Sequence, residues 1–232
     1  MTVVVRGGGD LGTGVAHALV VEGYTVVVLE EERPRAVRRE AAFAEAVYAG
    51  RSTVEGVTAV LVGSSGNPAR NVHACEPGRT RDGGTDDTVA GTVTVIVDPD
   101  GGIIATSRQE IIVDAWTVKR NLGTRIGDAG LVIALGPGFE AGVDADIVIE
   151  TQRGKSLGRA IEEGRALPDT GVPAPVGGAA AGRLIRSPSA GIFRSSCRIG
   201  DLVVEGQVVG EVSGVPVRSR LSGVLRGLAA DG

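Results

Sequence analysis

The sequence predicts an α/β protein: a Rossmann-like parallel sheet followed by a small all-β module of the barrel-sandwich kind. Three observations predict it. The chain opens as strand, glycine turn, helix, strand, which is the βαβ unit. Its apolar runs are short, continuous and β-branched, as in strands buried on both faces of a parallel sheet. Beyond a Pro-, Gly- and Ala-rich stretch at 165–182, short strands alternate with glycine turns and the helical period disappears.

Composition supports this reading. The chain has 232 residues, 42% hydrophobic and only 3% aromatic, with 37 glycines, so its core must be built from Val, Ile, Leu and Ala. A net charge of −4 and the lack of a long basic run argue against nucleic acid as a partner. No apolar stretch approaches the length of a membrane span, and the N-terminus does not read as a signal peptide. Cys75 and Cys197 form neither a CxxC pair nor a zinc spacing, so no metal site is expected and two reduced thiols of a cytoplasmic protein are.

Val3–Val5 is the first strand, and the helix after the glycine loop carries Val15, Ala16, Ala18, Leu19 and Val20, with Gly23 ending it. Thr25–Leu29 is the second strand. Pro34–Gly50 reads as another helix, with Phe43 on one side and Arg35, Arg38 and Arg39 on the other. Val57–Val62, Val93–Val97, Ile111–Val113, Leu131–Leu135 and Ile147–Ile149 read as further strands, with a short helix or turn at Val118–Leu122. The polar stretch 64–91 reads as a flexible insertion. The domains are then 1–164 (nucleotide-binding), 165–182 (linker) and 183–232 (β module).

The β module holds a weak repeat: Ser187-Pro188-Ser189-Ala190-Gly191-Ile192-Phe193 resembles Ser219-Arg220-Leu221-Ser222-Gly223-Val224-Leu225. Half-repeats of this kind suit flattened barrels such as biotinyl and lipoyl carriers. Those carriers need a lysine at the central hairpin. No lysine follows Lys155, which excludes a swinging arm and leaves a structural or docking role.

The strongest candidate site is Gly7-Gly8-Gly9-Asp10-Leu11-Gly12. Gly7 permits the tight turn, Gly9 lets the backbone approach a pyrophosphate, and Gly12 lets helix and strand pack closely, with the amides of Asp10 and Leu11 at the helix N-terminus. Glu30 follows the second strand, where a ribose-binding acid is expected. The ligand expected from these residues is NAD(P) or another nucleotide. Asp10 either caps the helix, points away from the phosphates or holds a cation. A second glycine loop, Gly136-Pro137-Gly138-Phe139, follows a strand and is either a ligand loop or a tight turn. Asp114, Lys119 and Asn121 form a polar group after one strand, either a pocket wall or a capped helix with solvated charges; Glu150, Arg153 and Lys155 form another, either an anion-binding group at the same sheet edge or an ordinary polar loop. His17 reads as structural, and His73 with Cys75 as too few ligands for a metal. No catalytic residue can be named, and a homo-oligomer is compatible with the sequence.

Several segments carry a resemblance. Val5 to Ala16, Leu135 to Gly142, Glu150 to Gly154 and Asp169-Thr170-Gly171 resemble the YqeB-like accessory proteins of the selenium-dependent molybdenum hydroxylase system. That family is itself similar, in its N-terminal part, to the nucleotide-binding domain of XdhC-type xanthine dehydrogenase maturation factors. The resemblance runs to Leu225-Arg226-Gly227. It implies a maturation factor rather than the hydroxylase, a molybdenum hydroxylase apoenzyme as partner, and a molybdopterin-type molecule as a second ligand class. The absence of iron–sulfur cysteine clusters agrees with a maturation role. The chain departs from the family's pattern at Trp116, where Arg is expected, and at Asp146 and Lys155, where His is expected. The family's chain also continues past the second barrel half, so the end at Ala230-Asp231-Gly232 reads as a truncation. An NAD(P)-dependent oxidoreductase and a non-catalytic docking scaffold are the alternative readings.

Overall fold

The computed structural model describes residues 1–62, 91–106, 109–172 and 181–231. The insertion expected at 64–91 lies, except for Gly91, outside the described residues, as do His73, Cys75 and most of the second half of the expected linker. The chain divides into two compact units. One comprises Met1–Ala36 with Glu40–Asp169, the other Val37–Arg39 with Thr170–Gly232.

The first unit is built on a large sheet. Its strands are β1 (Thr2–Arg6), β2 (Thr25–Glu30), β3 (Arg51–Val54), β4 (Val57–Leu61), β5 (Thr92–Val97), β6 (Gln109–Asp114), β7 (Ala129–Leu135), β9 (Ile147–Ile149) and β10 (Ala160–Ile161); β8 (Glu140–Ala141) lies outside it. The order across the sheet is β10-β9-β7-β6-β1-β2-β5-β4-β3. From β9 to β4 every described pairing is parallel, and only the two edge strands β10 and β3 run antiparallel. The fold is therefore α/β with a large, mostly parallel mixed sheet. β8 pairs instead with β11 (Gly164–Arg165), so the first residues assigned to the linker belong to this unit.

Alternation of side chains across the strands explains why these runs are apolar throughout. Val3 and Val5 of β1 pack on one face with Val26, Val28, Val93 and Val95 against Ala16 and Val20 of α1 (Asp10–Val21). Val4 faces the opposite side with Val27, Leu29, Ile96 and Ile112, and Ile103 covers it. All three β1 valines are fully buried. Each contributes about 1.5–3 kcal/mol by leaving water, so a charge at Val4 would break the centre of the sheet. Gly23, at a φ of +88°, ends α1 by donating its amide to the Val20 carbonyl.

One helix expected from the sequence is not formed. Pro34–Gly50 holds 3-10 turns at Arg39–Ala41 and Phe43–Glu45 and only one α turn, α2 (Ala46–Ala49). Ala42 between them is extended, with φ −138° and ψ 129°. Tertiary bonds override helix propensity here: the Phe43 amide donates to Thr13 Oγ1 and the Ala44 amide to the Gly8 carbonyl. Strand β3 and α3 (Gly102–Thr106) were not anticipated. The β3–β4 hairpin turns on Glu55 and Gly56, both at positive φ, the geometry of a two-residue type I′ turn. Asp98 accepts the Gly102 and Ile103 amides and so starts α3.

The second unit contains two small antiparallel sheets. One is β12 (Phe193–Ser195), β14 (Val208–Val212) and β15 (Val215–Arg218); the other is β13 (Leu202–Val203) and β16 (Gly223–Val224). Val203, Val209, Val212, Val217 and Leu225 form its core. The sequence repeat has a counterpart in hydrogen bonding. Ser187 Oγ donates to the Ser189 carbonyl and Ser219 Oγ to the Leu221 carbonyl, the same i to i+2 turn in both halves. Val37 belongs to this unit, its carbonyl accepting the Leu228 amide.

Candidate functional site

Parallel strands bring their carboxyl ends to one edge, and the candidate residues collect there because so many of them end strands. β1 ends at Arg6 and leads into the glycine loop; β2 ends at Glu30 and β6 at Asp114; β7 and β9 lead into Gly136 and Glu150.

The four glycines of the first loop differ in what requires them. Gly7 has φ +92°, and a Cβ there would stand 3.1 Å from Trp116 Cα. A Cβ on Gly8 would meet the Ala44 amide nitrogen at 2.9 Å, and one on Gly12 would collide with the Gly7 carbonyl. The fold therefore excludes side chains at Gly7, Gly8 and Gly12. Gly9 is another matter. It occupies the N-cap of α1 with φ −71° and ψ −168°, open to any residue, and a Cβ would find nothing within 4 Å. Gly9 itself offers no capping side chain, and Asp10 lies inside the first turn rather than at the N-cap. Asp10 and Leu11 are exposed beside this opening.

Glu30 latches the loop. Its Oε2 accepts the Gly8 amide at 2.7 Å and its Oε1 the Glu31 amide at 2.8 Å, and the residue is 3% exposed. Burial raises its pKa above the ordinary carboxylate value, against the lowering pull of the Glu31 and Gly8 amides. Thr13 adds a second tie, donating to the Gly8 carbonyl while accepting the Phe43 amide.

Between β1 and β7 runs β6, whose following loop touches both glycine loops. Trp116 abuts Gly7, and Gly138, at φ +113°, would place a Cβ 2.7 Å from the backbone of Arg120. Gly136 in turn abuts Thr151 in the loop after β9. Two strand spacings put the ends of β1 and β7 roughly 10 Å apart, within the span of one ligand. Thr117 and Lys119 hold positive φ, at +52° and +67°, an arrangement costing non-glycine residues about 1–2 kcal/mol each. The indole Nε1 of Trp116 is buried and has no acceptor among the described residues.

Asp114, 1% exposed, accepts the Thr124 hydroxyl on Oδ2 and the Trp116 amide on Oδ1, and its Oδ2 stands 3.7 Å from Arg6 Nη1. Arg6 Nη1 also donates to Thr124 Oγ1. Burial raises the Asp114 pKa, opposed by the Thr124 hydroxyl, the Arg6 charge and the Trp116 amide. Glu150 accepts the Gln152 and Leu167 amides at 2.6 and 2.7 Å. Burial pushes its pKa up, but the amides of Leu167, Gln152 and Thr151 together hold it below the ordinary value. Asn121 spends its side chain on Gly123, Thr124 and Asp144, shaping a turn. Asp146 accepts the Val132 amide. Lys119, Arg153 and Lys155 are exposed, the latter two on the loop after β9, three strands from β1.

The structure thus gathers Gly7 to Gly12, Asp114, Lys119 and the Gly136–Gly138 loop along adjacent strand ends, and engages Asn121 and Glu150 in hydrogen bonds that hold neighbouring loops. Sequence reading missed Arg6, Thr13 and Thr124. An arginine closing an otherwise apolar strand was the available signal for Arg6; nothing local marks the threonines. Among the described residues no cluster of three or more His, Cys, Asp or Glu is arranged to hold a metal, and no helix is long and apolar enough to cross a membrane.

Comparison with known proteins places this geometry beside one curated relative. The chain is similar to the uncharacterized protein YqeB of Escherichia coli (strain K12), at 43% identity over 230 residues. The match covers 99% of this chain and 40% of that relative. The chain thus spans less than half the length of the protein it resembles. No protein-family profile and no solved structure matches it.

Proposed function

We propose that the chain is a nucleotide-binding accessory factor for molybdenum hydroxylases, with a Rossmann-type first unit. The observation that carries nucleotide binding is Gly9. It is a glycine that neither backbone angle nor packing requires, at the N-cap of a twelve-residue helix, with open space where its side chain would be. A phosphate in that space would meet helix amides and the positive end of the helix dipole. The order β5-β2-β1-β6-β7-β9 supports the reading, since it is the doubly wound order 3-2-1-4-5-6, whose switch point lies between β1 and β6. The unit departs from that pattern in having no helix between β6 and β7 or between β7 and β9 among the described residues.

Glu30 faces the glycine loop with both oxygens engaged. A ribose hydroxyl would therefore share an oxygen with the Gly8 or Glu31 amide, using the second lone pair. The molybdenum hydroxylase part rests on the segments that resemble the selenium-dependent system's accessory proteins, and a molybdopterin-type ligand rests on the same ground. Calorimetry with NAD, NADP, ATP and AMP tests the nucleotide part; no measurable binding by any of them sinks it. Hydroxylase activity in cells lacking the protein, restored by wild type and not by the Gly9→Val variant, tests the accessory role.

A docking scaffold is the second reading, and one observation favours it. Leu202 and Val224 pair across β13 and β16 yet are 79% and 54% exposed, with Val204 beside them at 62%. An exposed apolar strip of this kind suits a protein partner. Under that reading Leu202→Asp abolishes partner binding and leaves nucleotide binding intact.

A further inference from the structure

Arg6 lies at the end of β1 on the face opposite α1. Side chains alternate along the strand, and Val4, two residues back, packs with Ile103 of α3 rather than with the helix that follows the glycine loop. On that face a cleft of about 730 Å³ opens between α3 and the segment leading into β7, lined among others by Arg6, Asp100, Ile104, Ala105, Arg125 and Asp128. Its volume is that of a small-molecule site.

Arg6 is the unusual member of this lining. A guanidinium only 6% exposed is costly unless its donors are matched. Its Nη1 is matched, by Thr124 and Asp114. The other edge, formed by Nε and Nη2, has no acceptor among the described residues. That edge is a fork of two parallel N–H groups, shaped for two oxygens of a carboxylate or phosphate. The protein uses the same edge elsewhere: Arg35 places Nε and Nη2 on Glu31 at 3.2 and 2.8 Å, and Arg165 places both on Glu140. Asp114 and Thr124 fix the Arg6 head from behind, so the unused edge is held in one orientation, as recognition of a planar anion requires.

We propose that this cleft is a second binding site, taking a small oxyanion whose carboxylate or phosphate oxygens meet the Nε–Nη2 edge of Arg6. Asp114 already offsets the Arg6 charge, and around the lining Asp100 and Asp128 stand against Arg125. A polyanion is therefore disfavoured, and a singly or doubly charged molecule that also carries hydrogen-bond donors fits best. The site does not rest on the nucleotide reading, because it lies on the other face of the sheet from α1.

The test uses the full chain carrying Gly9→Val, so that an anion on the glycine loop does not contribute. Inorganic phosphate and succinate are titrated separately by calorimetry at low ionic strength. Saturable binding of at least one of them is expected, and which one binds distinguishes a phosphate from a carboxylate ligand. Ala105→Trp, added from an exposed position on α3, fills the cleft without touching Arg6 and should weaken binding at least about tenfold. Arg125→Gln should weaken it in the same direction. Absence of saturable binding by both anions, or an unchanged affinity in the Ala105→Trp protein, overturns the proposal. Failure of nucleotides to bind the wild-type glycine loop would leave this result untouched, so the two readings fail separately.

Discussion

Replacing Gly9 by valine separates a glycine kept for a ligand from one kept for the fold. The backbone at Gly9, φ −71° and ψ −168°, suits a β-branched residue, and nothing lies within 4 Å of the added Cβ. Fewer unfolded conformations favour the variant by about 0.4–1 kcal/mol. Loss of glycine from an N-cap offsets this by about half a kcal/mol or more. The net change in stability is then within about 0.5 kcal/mol, or roughly 1–2 °C in Tm for a chain of this size. Ligand binding tells a different story. A nucleotide at 100 times its Kd stabilises the wild type by about 2.7 kcal/mol, a rise of roughly 5–10 °C. Valine methyls in the phosphate space should abolish that rise. Scanning fluorimetry of both proteins, with and without nucleotide, reads both quantities at once. An undiminished ligand shift in the variant would refute the placement of the phosphate. A loss of several kcal/mol without ligand would refute the claim that the fold does not need this glycine.

Other perturbations act on the same edge. Gly12→Ala forces a Cβ into the Gly7 carbonyl and should cost about 1–3 kcal/mol by overpacking, read as a lower urea midpoint; an unchanged midpoint contradicts the close approach. Asp114→Ala leaves the Arg6 guanidinium buried without its counter-charge and should cost about 3–5 kcal/mol, whereas a loss below about 1 kcal/mol would mean that the pair is solvated. Protonation gives a further check with opposite signs. The folded pKa values of Glu30 and Asp114 are raised, so the stability linked to them is complete below the ordinary carboxylate range and is lost as pH rises through those values. Glu150 is lowered, so its contribution is present above the ordinary range and is lost as pH falls through its folded value. The stability difference between wild type and Glu150→Gln should therefore shrink on acidification, and a difference constant with pH would remove Glu150 from the account.

What could be read from sequence was what short-range chemistry decides. Val3–Val5, Thr25–Leu29 and Leu131–Leu135 form strands because β-branched runs buried on two faces have few alternatives. The loop Gly7 to Gly12 follows from glycines at a strand end. The segment around Phe43 was misread because its conformation is set by Thr13 and Gly8, thirty or more residues away, and periodicity carries no trace of such bonds. The hydrogen bonding of Glu30 and Arg6 escaped for a related reason. A sequence shows that a carboxylate ends a strand, but not that two amides already occupy its oxygens. It shows an arginine, but not which edge of the guanidinium is left over. The Glu55-Gly56 hairpin carries a turn glycine between Thr- and Val-rich runs, but Glu stands where Asn or Asp would mark a type I′ turn.

The membership of Val37–Arg39 in the second unit carries a consequence for assembly. This stretch emerges from the ribosome well before the Leu228 amide that meets the Val37 carbonyl. The second unit is therefore discontinuous in the gene, and its closure must wait until Leu228 has been made. A fragment cut from Thr170 onward would lack one of its own backbone partners. Supplied in trans, a peptide spanning Val37–Arg39 becomes a ready complement, and two copies of the chain can exchange these segments. The loop-closure entropy of joining such distant parts grows only with the logarithm of the separation, so the arrangement delays folding more than it weakens the finished structure.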